Sequence, residues 1–157
     1  MLDSIFTFFI ALPLTAYFWY HYLEGTVKWA DDLAATSASG VAPIFATPPL
    51  EIYQDIFAAA IIQLLITGVY EVFFLNRSGA TPGMMIVGIS VRLRDLAGPL
   101  PMRATLIRTG VFLAMQVVTI AYLLDVLWPL WDHQKQAIHD KAAMTNVVVG
   151  RQPKRQA

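Results

Sequence analysis

The sequence predicts an all-α integral membrane protein with a small two-stranded β element, and three observations carry that expectation. Residues 4–22 and 56–75 are two long stretches almost free of charge. Across the 157 residues, 57% are hydrophobic and 14% charged, with a mean hydropathy of +0.55, beyond what a soluble domain of this length carries. Two β-prone runs, 87–94 and 145–149, stand on either side of a third hydrophobic segment, 104–130.

The first helix is read from Ser4 to Tyr22, which holds no charged side chain and reaches about 28 Å at the usual rise, close to the hydrocarbon thickness of a bilayer. Its end carries Tyr17, Trp19, Tyr20 and Tyr22, rings that favour the membrane–water boundary. Pro13 is tolerable inside a helix in lipid when neighbours satisfy the freed carbonyl. A cleaved signal peptide is disfavoured, because the stretch lacks a basic leader and is followed by His21-Tyr22-Leu23-Glu24 in place of small residues. Residues 23–51 have loop composition: Glu24, Asp31, Asp32, Glu51, the run Thr36-Ser37-Ala38-Ser39-Gly40, and Pro43, Pro48 and Pro49.

The second helix spans Ile56 to Leu75 and stops at Asn76-Arg77-Ser78-Gly79. Gln63, Thr67, Tyr70 and Glu71 share one side of it, which is expected to face protein. Ala58-Ala59-Ala60 and Gly68 offer small-residue surface for packing against another membrane protein.

Val87, Ile89, Val91 and Leu93 alternate with Gly88, Ser90, Arg92 and Arg94 before the turn signal Leu96-Ala97-Gly98-Pro99, and that period of two means a strand. The run Thr145-Asn146-Val147-Val148-Val149 is its natural partner, since two isolated strands are best satisfied by each other. The segment 104–130 between them reads either as a straight spanning helix or as a re-entrant or interfacial one. Charge arbitrates: if the segments Arg77–Arg108 and Lys135 onward are both cytoplasmic, ten bases lie inside against Lys28 outside, whereas a straight helix removes the bias. Both termini are therefore expected inside, with residues 1–149 as one membrane domain and 150–157 as a basic flexible tail.

An acid in the bilayer costs roughly 2.5 to 3.5 kcal/mol at mid-depth, which makes Glu71 and Asp125 candidates for function. The plainer readings are a Glu71 that reaches headgroups or pairs with Arg77 or Arg108, and an interfacial Asp125 beside Trp128. Seventeen residues separate Arg108 from Asp125, about 25 Å along a straight helix, so each needs a partner elsewhere. Asp3, Glu71, Arg108, Asp125 and Asp140 make up the candidate charge network. His133 and His139 are six apart, a spacing that does not place two metal ligands on one helical face, so no metal is expected. His139 and Asp140 are instead expected to cap the tail or cross-link it against the strand and the loop containing Gly79–Gly83.

The stretch Gly79-Ala80-Thr81-Pro82-Gly83-Met84-Met85-Ile86-Val87-Gly88, then Arg108, then Gln136-Ala137-Ile138-His139-Asp140 running on to Thr145 resembles the RDD family of bacterial membrane proteins over residues 77–149. By that resemblance Asp3 and Asp140 stand for the family's aspartates, while its N-terminal arginine has no counterpart and Met84 replaces a frequent lysine. The resemblance implies a multi-pass protein of the bacterial cytoplasmic (inner) membrane and a transport-related role.

Zero net charge gives no argument for nucleic acid, and the lack of cysteine excludes disulfides, thiolate nucleophiles and iron–sulfur clusters. No nucleophile–base set, phosphate loop or cofactor fingerprint is present, so no enzymatic activity and no cofactor are expected. Two roles remain: an accessory or assembly subunit of a larger membrane complex, or a homo-oligomeric transporter of a small ion or solute. The ten bases would also attract anionic lipid of the surrounding bilayer, by about 1 kcal/mol for each one near the surface.

Overall fold

The computed structural model describes residues 2–40, 46–96, 98 and 100–150. Pro43, Ala97, Pro99 and residues 151–157 of the expected basic tail lie outside the described residues. The chain is mostly helical: α1 (Leu2–Ala38), α2 (Leu50–Ser78), α3 (Pro82–Ile86), β1 (Ile89–Leu93), α4 (Met102–Gln116), α5 (Thr119–Leu127), a single 3-10 turn (Trp128–Leu130), α6 (Ile138–Ala142) and β2 (Thr145–Val149). It divides into two compact units, Phe8–Leu65 on one hand and Met1–Thr7 with Ile66–Ala157 on the other.

Both expected long helices are present, and both are long and apolar enough to cross a membrane. They also overrun their expected ends, and the assignment of 23–51 to a loop is corrected: α1 stays helical to Ala38 and α2 starts at Leu50. Composition misled here. Glu24 and Lys28 form an i, i+4 pair at 2.7 Å, and Thr26, Thr36 and Ser37 donate to carbonyls four residues back, so these polar residues decorate a helix instead of ending it. At 1.5 Å per residue α1 is about 55 Å long, well beyond the hydrocarbon layer.

In the Phe8–Leu65 unit the buried positions are small or branched: Ala11 and Thr15 one turn apart on α1, and Ile52 and Ala59 two turns apart on α2. A Cβ at Gly25 would sit 3.1 Å from Ile52 Cγ1, so the two helices approach closely there, as small residues permit. Large apolar side chains are exposed along both helices, Phe9, Leu14 and Leu65 among them, while Lys28, Asp31 and Asp32 are exposed in the later part of α1. The small-residue surface read from sequence is thus partly used up within the chain, because Ala59 is buried and a Cβ on Gly68 would meet Leu113 at 2.9 Å.

In the other unit, α2 ends at Gly79, whose φ of 68° suits a residue without Cβ and lets its N–H reach Leu75 O at 2.9 Å. Thr81 then caps α3, and Gly88 turns the chain at φ 73° into β1. The strands pair antiparallel, with Ile89 opposite Val149 and Leu93 opposite Thr145, as the two β-prone runs foretold. Val91 enters a core with Leu75, Leu100 and Ala104, which fastens the sheet to the end of α2 and the start of α4.

The segment 104–130 is not the straight helix that was one of its two expected forms. It breaks at Val117–Val118, where Val118 is extended at φ −119°, ψ 115°, and α4 and α5 pack against each other. Three β-branched residues in a row, Val117, Val118 and Thr119, weaken the helix there. The 15 residues of α4 reach about 22 Å, short of a bilayer's hydrocarbon. Both ends of the segment return to one sheet, since β1 precedes it and β2 follows it.

Candidate functional site

Arg108 lies on the second turn of α4, buried to 3% exposure, and an arginine there must be paired. Its Nε donates to Asp140 Oδ1 at 2.9 Å, and Nη2 meets His139 Nε2 at 3.1 Å. A guanidinium has donors only, so His139 Nε2 accepts and the ring hydrogen sits on Nδ1. From there it is donated to Asp125 Oδ2 at 2.6 Å. Asp125, fully buried, also accepts the backbone N–H of His139 at 3.0 Å. That bond caps α6, whose own N-cap residue, Ala137, has no side chain to offer. Thr145 Oγ1 donates to Asp140 Oδ1 at 2.9 Å, which ties β2 into the same chain of bonds.

A second cluster forms around Asp3 on the first turn of α1. Tyr70 OH and the Gly83 N–H both donate to Oδ1 at 2.8 Å, and Thr81 Oγ1 donates to Oδ2 at 2.7 Å. The carboxylate lies so close to Gly83 that a Cβ there would stand 2.5 Å from Oδ2. Glu71, buried beside Tyr70 in sequence, accepts from Thr109 Oγ1 at 3.3 Å.

The five acids and bases expected to make one network therefore separate. Arg108, Asp140 and Asp125 come together with His139 as the bridge, Asp3 holds the turn between α2 and β1, and Glu71 reaches Thr109. Two expectations are corrected. His139 and Asp140 bind Arg108, Asp125 and Thr145 and not the Gly79–Gly83 loop, which Asp3 takes instead. Glu71 forms no ion pair with Arg77 or Arg108 among the described residues. Asp125, read as an interfacial residue beside Trp128, is buried and caps α6. The protein-facing side of α2 holds for Tyr70 and Glu71, both buried, with Gln63 and Thr67 half-buried.

Sequence reasoning gave no role to Asp132 and no partner to Gln136 or Thr109. Gln136 is fully buried: its Nε2 donates to Thr145 O at 2.7 Å and Asn146 Oδ1 at 2.8 Å, while Oε1 accepts from Arg94 Nη2 at 2.7 Å. Its place inside the stretch 136–140 was the one available signal. Asp132 accepts from Lys141 Nζ and from the backbone N–H groups of Gln134 and Gln136. The Lys141 ammonium first, and the Gln136 N–H next, hold this carboxyl below the usual carboxylate range. A lowered folded value means that its stabilisation is present above the unfolded value, about 3.9, and is lost as pH falls through the folded one. Melting curves between pH 6 and pH 2 should show this drop in the wild type and a smaller one in Asp132→Asn.

Chemically the arrangement is a closed brace. Both His139 nitrogens and the Asp125 and Asp140 carboxylates are occupied, and no group of three or more His, Cys, Asp or Glu among the described residues is placed to hold a metal. Comparison with curated proteins and with solved structures finds no match. The family model described as RDD family matches residues 1–144, a longer stretch at the N-terminal side than the motifs alone mark out. That match takes in Asp3, the Thr81–Gly83 turn, Arg108, His139 and Asp140, and with two helices suited to a bilayer it points to a small membrane protein: the chain belongs to the RDD family.

Proposed function

We propose that this chain is an accessory or assembly subunit of a larger membrane complex in the bacterial cytoplasmic membrane, with both termini on the cytoplasmic side. The observation that carries the reading is the self-sufficiency of its buried charges. Arg108, Asp140, Asp125 and Asp3 are each satisfied by partners in the same unit, so they hold the fold together and are not free to line a path. What the long helices leave outward is apolar surface for lipid or a partner. The orientation is supported by three segments meeting in one unit: the first turn of α1 through Asp3, β1, and β2. A strand ladder forms on one side of a membrane, and the count of ten bases against one supports the cytoplasm as that side.

A specific observation favours a second reading, homo-oligomeric transport. Glu71 is a buried acid on α2 whose recorded partner is a hydroxyl, not a base. The test is a pull-down from native membranes in mild detergent, with a tag at Ala157 and the eluate sized and identified. A stoichiometric larger membrane partner is the expected result. Recovery only as copies of this chain, with ion flux in reconstituted vesicles that Glu71→Gln abolishes, would replace it with the transporter reading.

A further inference from the structure

Arg108 and Asp125 stand seventeen residues apart in the chain, yet both bond to the single imidazole of His139. Nearer the break, the rings of Phe112 and Tyr122 lie 6.4 Å apart. α4 and α5 therefore fold back on each other as a hairpin, with its base at the brace and its tip at Val117–Val118. Residues 109–124 hold no acid and no base, and at the tip Val117, Val118 and Ile120 are 70%, 55% and 71% exposed. The extended residue keeps its own bonds, as backbone in hydrocarbon must. The N–H groups of Val117 and Val118 donate to Ala114 O and Met115 O at 3.4 and 3.3 Å, and Val118 O accepts from the Tyr122 N–H at 3.0 Å. Arg103 is exposed ahead of the hairpin and Trp131 behind it, side chains suited to the headgroup region.

The end of α2 gauges how deep this hairpin reaches. Thr109 Oγ1 donates to Glu71, and a Cβ on Gly68 would meet Leu113, so α4 runs back along α2 from the Leu75 end. Gly68 lies seven residues, about 10 Å, inside the apolar stretch that closes at Leu75, and Val117 lies four residues, about 6 Å, beyond Leu113. The tip therefore reaches about 16 Å, half of a hydrocarbon layer of about 30 Å. Over the same depth α2 exposes Val69 and Phe73. We propose that the α4–α5 hairpin is a re-entrant wedge. It enters one leaflet from the side of the brace, turns at mid-bilayer and leaves by the same side, and the acyl chains of that leaflet cover its outer face. Lipid fits better than a protein partner because the hairpin's reach matches one leaflet and its charge-free interval closes at Arg108 and Asp125, where that leaflet ends. The inference needs the chain to lie in a bilayer, but neither the accessory role nor the choice of cytoplasmic side.

Because the chain has no cysteine, single introduced ones report position directly. Val117→Cys and, at exposed residues on either side of the hairpin, Arg103→Cys and His133→Cys are each made in the full chain. They are labelled with a membrane-impermeant thiol reagent in right-side-out and in inside-out vesicles. Arg103→Cys and His133→Cys should react from one and the same side. Val117→Cys should react about tenfold or more slowly than either, from both sides, since hydrocarbon disfavours the reactive thiolate. A fluorophore attached to Val117→Cys in detergent before reconstitution should lose more emission to phosphatidylcholine brominated near the acyl-chain ends than to the same lipid brominated near the headgroup. Ile120→Cys, at an equally exposed position, answers the same question if Val117→Cys does not fold. Labelling of Arg103→Cys and His133→Cys from opposite sides would make the segment a crossing one, and ready labelling of the tip would put it in water. A tip that neither the reagent nor either brominated lipid reaches would be covered by protein. Each of these three results overturns the proposal.

Discussion

Replacing Arg108 by alanine is expected to destabilise the protein by about 3 to 5 kcal/mol, the usual cost of breaking a buried ion pair from one side. The substitution leaves Asp140 charged, buried and short of its 2.9 Å partner, and leaves His139 Nε2 without a donor. Asp140→Ala should cost a similar amount and should also release Thr145 from the brace. The pair Arg108→Met with Asp140→Leu should recover much of the loss, since removing both charges also removes the cost of burying them. Thermal unfolding of the full chain in detergent reads all three. A single-alanine effect below about 1 kcal/mol would mean that water or lipid headgroups already reach this pair and that the brace is not what holds α4, α6 and β2 together.

Gly83→Ala should be the second most damaging change. The added Cβ would meet Asp3 at 2.5 Å from Oδ2, 2.7 Å from Cγ and 2.9 Å from the backbone nitrogen. A side chain can swing aside, but the backbone nitrogen moves only if the start of α1 moves with it. The first turn should then undock and lose the bonds from Tyr70, Thr81 and Gly83, at about 2 to 3 kcal/mol in all. Hydrogen exchange over residues 2–7 should rise together with the fall in melting temperature. Because Asp3→Ala releases the same turn, the double variant should be little worse than the more damaging single one. Additive losses would show that Gly83 matters for α3 itself and not for docking α1.

Much of the architecture was legible because its causes are local. Hydropathy over 4–22 and 56–75 needs only neighbouring residues, and so does the alternation from Val87 to Leu93. The helix boundaries were not legible, since Glu24, Lys28, Thr36 and Ser37 suit a helix exterior as well as a loop, and their i, i+4 bonds exist only once the helix does. The break at Val117–Val118 has a weak local cause and a stronger distant one: α5 must fold back for Asp125 to reach His139.

The candidate site divides along the same line. By itself the sequence determined that Arg108, Asp125, Glu71 and Asp140 need partners, because charge in or beside a bilayer is costly wherever the chain goes. It also determined which family motifs are present, and the match over residues 1–144 agrees. Only the tertiary structure decided the pairing: Asp3 with groups up to 80 residues away, Arg108 with Asp140 32 residues on, and His139 with Asp125 14 residues back. The physical reason is that any acid can satisfy any base at the right distance. Eleven of each leave many pairings open in sequence, and chain packing selects among them.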